Sequence, residues 1–153
     1  VDSVFIDRQL LRATVDGGDF TAYLMARLGV RLPPDLGYRV TVDSTGLRIG
    51  GRVSDLPREA REALAQMVFL LPPETRLEGQ VELLPAGKEA VRFHLAGATV
   101  QGVSVPEAIF APLMADVGKQ YPALTATGRD LYVQVPEGAR IGLVAGGVEL
   151  VGP

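Results

Sequence analysis

Residues 76–100 read RLEGQVELLPAGKEAVRFHLAGATV. Leu77, Gly79, Val81 and Leu83 recur at every second position, with Arg76, Glu78, Gln80 and Glu82 between them. Successive side chains of a strand point to opposite faces, so this pattern is a long strand with one apolar and one wet face. Pro85-Ala-Gly-Lys88 supplies a turn, after which Val91, Phe93 and Leu95 alternate with Arg92 and His94. Beyond Gly97 the parity changes, and Ala98 and Val100 continue the apolar set. One extra residue in a strand has this effect, so Gly97 is the expected site of a β-bulge that bends the strand. Two long strands joined by a tight turn are antiparallel.

A second hairpin precedes it. Tyr38, Val40 and Val42 alternate with Arg39, Thr41 and Asp43; Asp43-Ser-Thr-Gly46 turns the chain; Leu47, Ile49 and Val53 alternate with Arg48 and Arg52. Partial alternation over residues 1–16 (Val4, Ile6, Leu11, Ala13, Val15) predicts a first strand. Three short strands are predicted at the other end, over 131–135, 140–144 and 148–151, separated by Pro-Glu-Gly and Gly-Gly turns.

Three helices fall between these strands. Phe20, Tyr23, Leu24 and Leu28 keep helical spacing, with Asp19 as the expected N-cap and Gly29 as a left-handed stop. Ala60, Leu64, Met67, Val68 and Leu71 follow the same period behind Pro57, and Pro72-Pro73 ends them. Residues 106–120 form the third, which Pro112 should kink. Its only charges are Glu107, Asp116 and Lys119. A helix so nearly apolar all round is expected to be covered on more than one side. The order βαββαββαβββ, in which the sheet connections are hairpins, predicts an antiparallel α+β fold. At 153 residues the chain is read as one domain, 1–153.

Composition narrows the function. Hydrophobic residues make up 47% of the chain and glycine adds 18 more, above the ~45–50% of apolar residues and glycine together in an ordinary domain. Only 5 Phe and 4 Tyr are aromatic, and Trp is absent. The surplus is aliphatic, and it excludes intrinsic disorder. The charge-free stretches fall short of the ~20 apolar residues of a membrane-crossing helix. With no Cys there is neither a disulfide nor a thiolate chemistry. The net charge is −3 and the 15 basic residues are scattered, so nucleic acid is not an expected partner.

No catalytic constellation stands out. His94 is the single histidine and falls on the polar side of its strand; there is no G-x-S-x-G, no EF-hand spacing and no glycine-rich loop between a strand and a helix. Glu59/Glu62 and Glu78/Glu82 read as solvated faces beside arginine. No catalytic residue, metal or cofactor is expected. An enzyme acting on a hydrophobic substrate would need a polar cluster such as Ser104, His94 and an acid, which the element order is expected to keep apart. Aliphatic surface is the remaining feature, and it fits either an ordinary core or a groove. In a groove, Val40, Val42, Leu47 and Ile49 would form one part of the sheet wall and Val81, Leu83, Val91 and Phe93 the other. Leu64, Met67 and Val68 of the second helix, with Ile109, Leu113 and Met114 of the third, would stand opposite. Such walls bind acyl chains by apolar transfer, worth ~0.8 kcal/mol per buried methylene.

Three segments, DFTAYL from Asp19, YRVTVDSTGLRIGG from Tyr38 and QGVSVPEAIFAPL from Gln101, resemble bacterial members of the tubular lipid-binding (TULIP) superfamily. The branch in question is the small cell-envelope one, similar also to synaptotagmin-like lipid-binding domains. The resemblance implies a highly curved antiparallel sheet wrapped around a long helix, with an elongated groove for lipid and no catalytic residue. It implies lipid binding, with transfer as an extension of it, and peripheral contact with a membrane. It also implies a periplasmic or cell-envelope setting, reached after loss of a leader or anchor, with the cytoplasm as the alternative. A single short module would call on a second copy to complete a tube. The competing expectation is a structural domain that self-associates through its aliphatic surface and carries no lipid.

Overall fold

The computed structural model describes residues 11–29, 37–56 and 71–153, together with Val1, Val4, Arg58, Arg61, Glu62 and Ala65. Nine strands and two helices lie within them: β1 (Arg12–Asp16), α1 (Gly17–Arg27), β2 (Arg39–Val42), β3 (Gly46–Arg52), β4 (Arg76–Pro85), β5 (Ala90–Val100), β6 (Val103–Ser104), α2 (Glu107–Gln120), β7 (Asp130–Gln134), β8 (Arg140–Val144) and β9 (Gly147–Val151). Every pairing is antiparallel, and neither sheet closes into a barrel. The fold is α+β, as the hairpin pattern predicts. The second predicted helix lies largely outside the described residues, although Arg58, Arg61, Glu62 and Ala65 are helical and Arg58 pairs with Glu62 one turn on. Leu64, Met67 and Val68 lie outside them as well.

The larger sheet runs β2-β3-β4-β5, and β5 is flanked on its far side by β7 along its first half and by the short β6 at its end. The smaller sheet is β1-β9-β8. One core joins the two: Val42, Leu47, Phe93, Leu131 and Val133 of the large sheet meet Val148 and Leu150 of β9, with Phe20 and Leu24 of α1 packed between. The Phe20 ring lies 5.5 Å from that of Phe93. The sheets are bonded directly where Gly146 N–H donates to the Val42 carbonyl at 3.3 Å.

Two sequence readings need correction at the start of the chain. Of the predicted first strand, 12–16 is extended, and buried Val4 is helical rather than extended; residues 2, 3 and 5–10 lie outside the described residues. The N-cap of α1 is Asp16, not Asp19: the Asp16 carboxylate accepts from Asp19 N–H at 2.9 Å. Both aspartates satisfy the cap rule, and the strand that ends at Asp16 decides between them by fixing where the helix starts. Gly29, at φ +74°, stops the helix as expected.

The β2–β3 turn is held by Asp43. Its Oδ1 accepts from Thr45 Oγ1 at 2.6 Å, Thr45 N–H at 2.8 Å and Gly46 N–H at 3.1 Å. The Thr45 hydroxyl first, then the two amides, hold this carboxyl below its ordinary 3.8. A depressed folded value stabilises the native state above the unfolded pKa, and that contribution is lost as pH falls through the folded one. Asp43→Ala should therefore lower the urea midpoint at neutral pH, and the gap to wild type should narrow below pH 3.8.

The bulge in β5 is present. Gln80 pairs with Gly97 and Val81 with Leu95, which leaves Ala96 as the extra residue beside the predicted Gly97. Residues 101–104 precede the third predicted helix. They form a hairpin with a two-residue turn, in which Gln101 (φ 52°) and Gly102 (φ 80°) both have left-handed backbone. Positive φ at both positions matches the twist of the flanking strands.

Candidate functional site

Cross-strand partners share a face, so the register sorts the expected wall residues. Val40 pairs with Ile49, Val42 with Leu47, Leu47 with Val81 and Leu83 with Phe93. Val91 pairs across the other side of β5 with Val133. All eight wall residues of the sheet thus lie on one continuous apolar face. Most of that face is closed. Val42, Leu47 and Phe93 are buried in the core, and Val40, Val81, Leu83 and Val91 pack against it. α1 and β9 cover this half, where the apolar side chains form a packed interior.

The other half is different. Between α1 and the end of the sheet lies a cavity of about 190 Å³, lined by Thr21 and Met25 of α1, by Ile49, Leu77 and Gly79 of the sheet, and by Leu56. Tyr38, Gly50, Gly51, Arg52 and Asp55 complete the lining. Glycine takes the place of a side chain at two positions of the apolar face here. Gly79 stands opposite Ile49, and Gly51 opposite Leu77. Of the expected wall residues, Ile49 alone lines this cavity among the described positions. Leu77, Met25, Leu56 and Thr21 are lining residues that sequence reasoning did not select. Thr21 is 2% exposed, and its Oγ1 has no hydrogen-bond partner among the described residues. Arg52 at the rim pairs with Asp55 at 3.7 Å and Glu74 at 3.8 Å.

The third predicted helix departs from expectation. In α2 only Phe110 and Gly118 are buried; Leu113 and Met114 are half-buried and Ile109 is 52% exposed. It is therefore not enclosed by the sheet, and Ile109, Leu113 and Met114 do not line the cavity. Exposed Val103 of β6, at 71%, is a further large apolar side chain open to solvent. Exposed Pro112 lies within the helix on its solvent side. Pro112 has no N–H to donate to the carbonyl of Ala108, itself an exposed residue.

α2 is held instead by Arg129. Its guanidinium donates to the carbonyls of Leu95 (Nε, 3.2 Å) and Ala96 (3.3 Å), pairs with Glu107, and sits 5.1 Å over the Phe110 ring. Its own carbonyl accepts from Leu95 N–H at 2.7 Å. One side chain thus serves the bulge of β5 and the first turn of α2. Hydrogen bonds to charged groups contribute ~1.5–3 kcal/mol each, less where one end is solvated. Arg129→Met keeps the aliphatic stem and should cost about 2 kcal/mol, read as a lower urea midpoint, with amide protection lost first in α2 and around residue 95. Lys119→Met, removing an ion pair that is 75% and 51% exposed, should shift the midpoint by less than ~0.5 kcal/mol.

His94 Nδ1 lies 2.7 Å from Asp130 Oδ1, its cross-strand partner, with Arg92 Nε 3.7 Å from the same oxygen. This cluster sits on the face opposite the cavity. Ser104 pairs with Thr99, five positions along β5 from His94, roughly 16 Å at 3.3 Å per residue. The two are apart, as expected. Among the described residues no group of three or more His, Cys, Asp and Glu could hold a metal ion, and no helix is long and apolar enough to cross a membrane.

No protein-family model matches the chain, and no curated protein or solved structure matches it. The site therefore rests on its own geometry.

Proposed function

We propose that this chain is a non-enzymatic binder of lipid, taking a stretch of fatty acyl chain between α1 and the open half of the large sheet. The cavity of about 190 Å³ carries the reading. Its mainly apolar walls supply apolar transfer without directed chemistry. A cavity of ~150 Å³ lined by Leu, Ile and Phe binds benzene, so this one suits a short run of methylenes and not a whole phospholipid. The rest of the lipid would lie outside it. The likeness of the Asp19, Tyr38 and Gln101 segments to tubular lipid-binding proteins supports the same reading, together with a periplasmic or cell-envelope setting and movement of lipid between membranes. Val103 and Ile109, both large, apolar and exposed, are the side chains that would touch a membrane surface.

Native mass spectrometry of the purified chain, before and after organic extraction, tests this directly. Lipid adducts that disappear on extraction, and a fluorescent fatty acid that then binds, are the expected results. A chain with no adduct and no uptake refutes the reading. The same exposed Val103 and Ile109 favour a second one, self-association without cargo. A concentration-dependent dimer by sedimentation that excludes the fluorescent fatty acid would select it.

A further inference from the structure

The hydroxyl of Thr21 is a polar atom in the wrong place for a sealed core. It is buried, its residue lines a cavity whose walls are mainly apolar, and it has no hydrogen-bond partner among the described residues. A buried hydroxyl without a partner is destabilising, and a methyl group of the same shape would avoid that cost. We infer that Thr21 is the polar contact for a neutral, oxygen-bearing stretch of an aliphatic ligand, an alcohol or ester, seated in this cavity; the inference rests on the lipid-binding reading.

Neutrality follows from the charges around it. Arg52 is the one cation lining the cavity among the described residues, and it is already paired with Asp55 and Glu74. Asp55 lines the same space and would repel an anion. A carboxylate or phosphate drawn inside would be left without a counter-charge, at large cost. A hydroxyl or ester oxygen asks only for one donor or acceptor, and the Thr21 hydroxyl can be either. Met25, one turn further along α1, and Ile49 and Leu77 across the space hold the flanking methylenes. A charged head group stays outside.

The experiment uses the full chain after organic extraction. 1-Hexanol is titrated into wild type, Thr21→Val and Thr21→Ser and followed by amide chemical shifts, and each ligand-free protein is melted. Thr21→Val should bind 1-hexanol about tenfold more weakly, the ~1.4 kcal/mol of one hydrogen bond. It should also melt higher than wild type, because the unpartnered hydroxyl is gone. Thr21→Ser, which keeps the hydroxyl, should retain most of the affinity, and hexanoate should bind more weakly than 1-hexanol. Equal 1-hexanol binding by wild type and Thr21→Val overturns the inference while leaving fatty acid uptake, and so the lipid reading, intact. A Thr21→Val protein that melts at or below wild type also overturns it, since the hydroxyl is then satisfied by bound water. Absence of both 1-hexanol binding and fatty acid uptake removes the lipid reading and this inference together. Thr21-dependent 1-hexanol binding without fatty acid uptake upholds the cavity assignment and refutes only the larger lipid.

Discussion

Gly128→Ala should unfold the docking of α2 and cost more than about 4 kcal/mol, the range reserved for changes the native backbone cannot absorb. A Cβ at Gly128 would stand 1.7 Å from the Met114 carbonyl oxygen and 2.7 Å from Gly118 N. Neither is the end of a flexible side chain; both belong to the α2 backbone. The reverse holds at Gly118, where a Cβ would meet the Thr125 carbonyl at 2.5 Å and Gly128 N at 2.7 Å. Helix and loop touch backbone to backbone, and a methyl group on either side separates them. Gly128 also has φ +67°, but left-handed backbone alone explains only ~1–2 kcal/mol. Gly146 separates the two effects, since it has φ +78° with nothing within 4 Å of its Cβ position. Gly146→Ala should cost only that ~1–2 kcal/mol. Urea midpoints of the two variants, with hydrogen exchange across α2, decide the matter. Similar midpoints would mean that the 125–128 loop yields and the close approach is not needed.

Phe20→Ala is the second large effect, at about 4 kcal/mol. Phe20 is fully buried, 5.5 Å from the ring of Phe93 and 6.0 Å from that of Tyr23, in the half of the apolar face that α1 closes. Truncating a buried phenylalanine costs ~3–5 kcal/mol when the surroundings do not collapse. The measurement also asks what kind of interior this is. Around a packed core the full cost appears as a fall in the urea midpoint with no change in its slope. A loose, ligand-filled groove would tolerate the truncation at under ~1 kcal/mol, and that result would extend the lipid site into this half of the sheet.

Strand alternation made the sheet legible. Leu77, Val81, Leu83, Val91 and Phe93 record in sequence which way each side chain faces, and the change of parity after Gly97 records the bulge. The face bearing Val40, Val42, Leu47 and Ile49 was readable for the same reason. Whether that face is closed was not, because Phe20 and Leu150 reach it from distant parts of the chain, and period-two spacing says nothing of what lies above a strand. α2 misled because its composition is apolar on every side. Packing against Phe110 and backbone contact at Gly118 hold it, and neither requires that Ile109 be covered. Arg129 left no signal, as its four partners lie 19 to 34 residues earlier and meet it only in the folded chain. The cavity borders on Gly51 and Gly79, two positions without side chains placed diagonally across β3 and β4, and the orphaned Thr21 hydroxyl becomes meaningful only once that space is seen.

The order of the small sheet has a consequence for how this protein is made. β9 lies in the middle of β1-β9-β8, and its Val148 and Leu150 are fully buried. β1, at Arg12–Asp16, must wait for a partner that emerges from the ribosome more than 130 residues later. Until Val151 is out, neither neighbour of β9 has its ladder, and the underside of α1 lacks two of its core contacts. Folding during synthesis can therefore establish the long hairpins before the joined core, which closes only once β9 has cleared the exit tunnel. Nascent chains arrested before residue 147 should be open to protease at α1, and those arrested beyond Val151, with enough linker to clear the exit tunnel, should resist it.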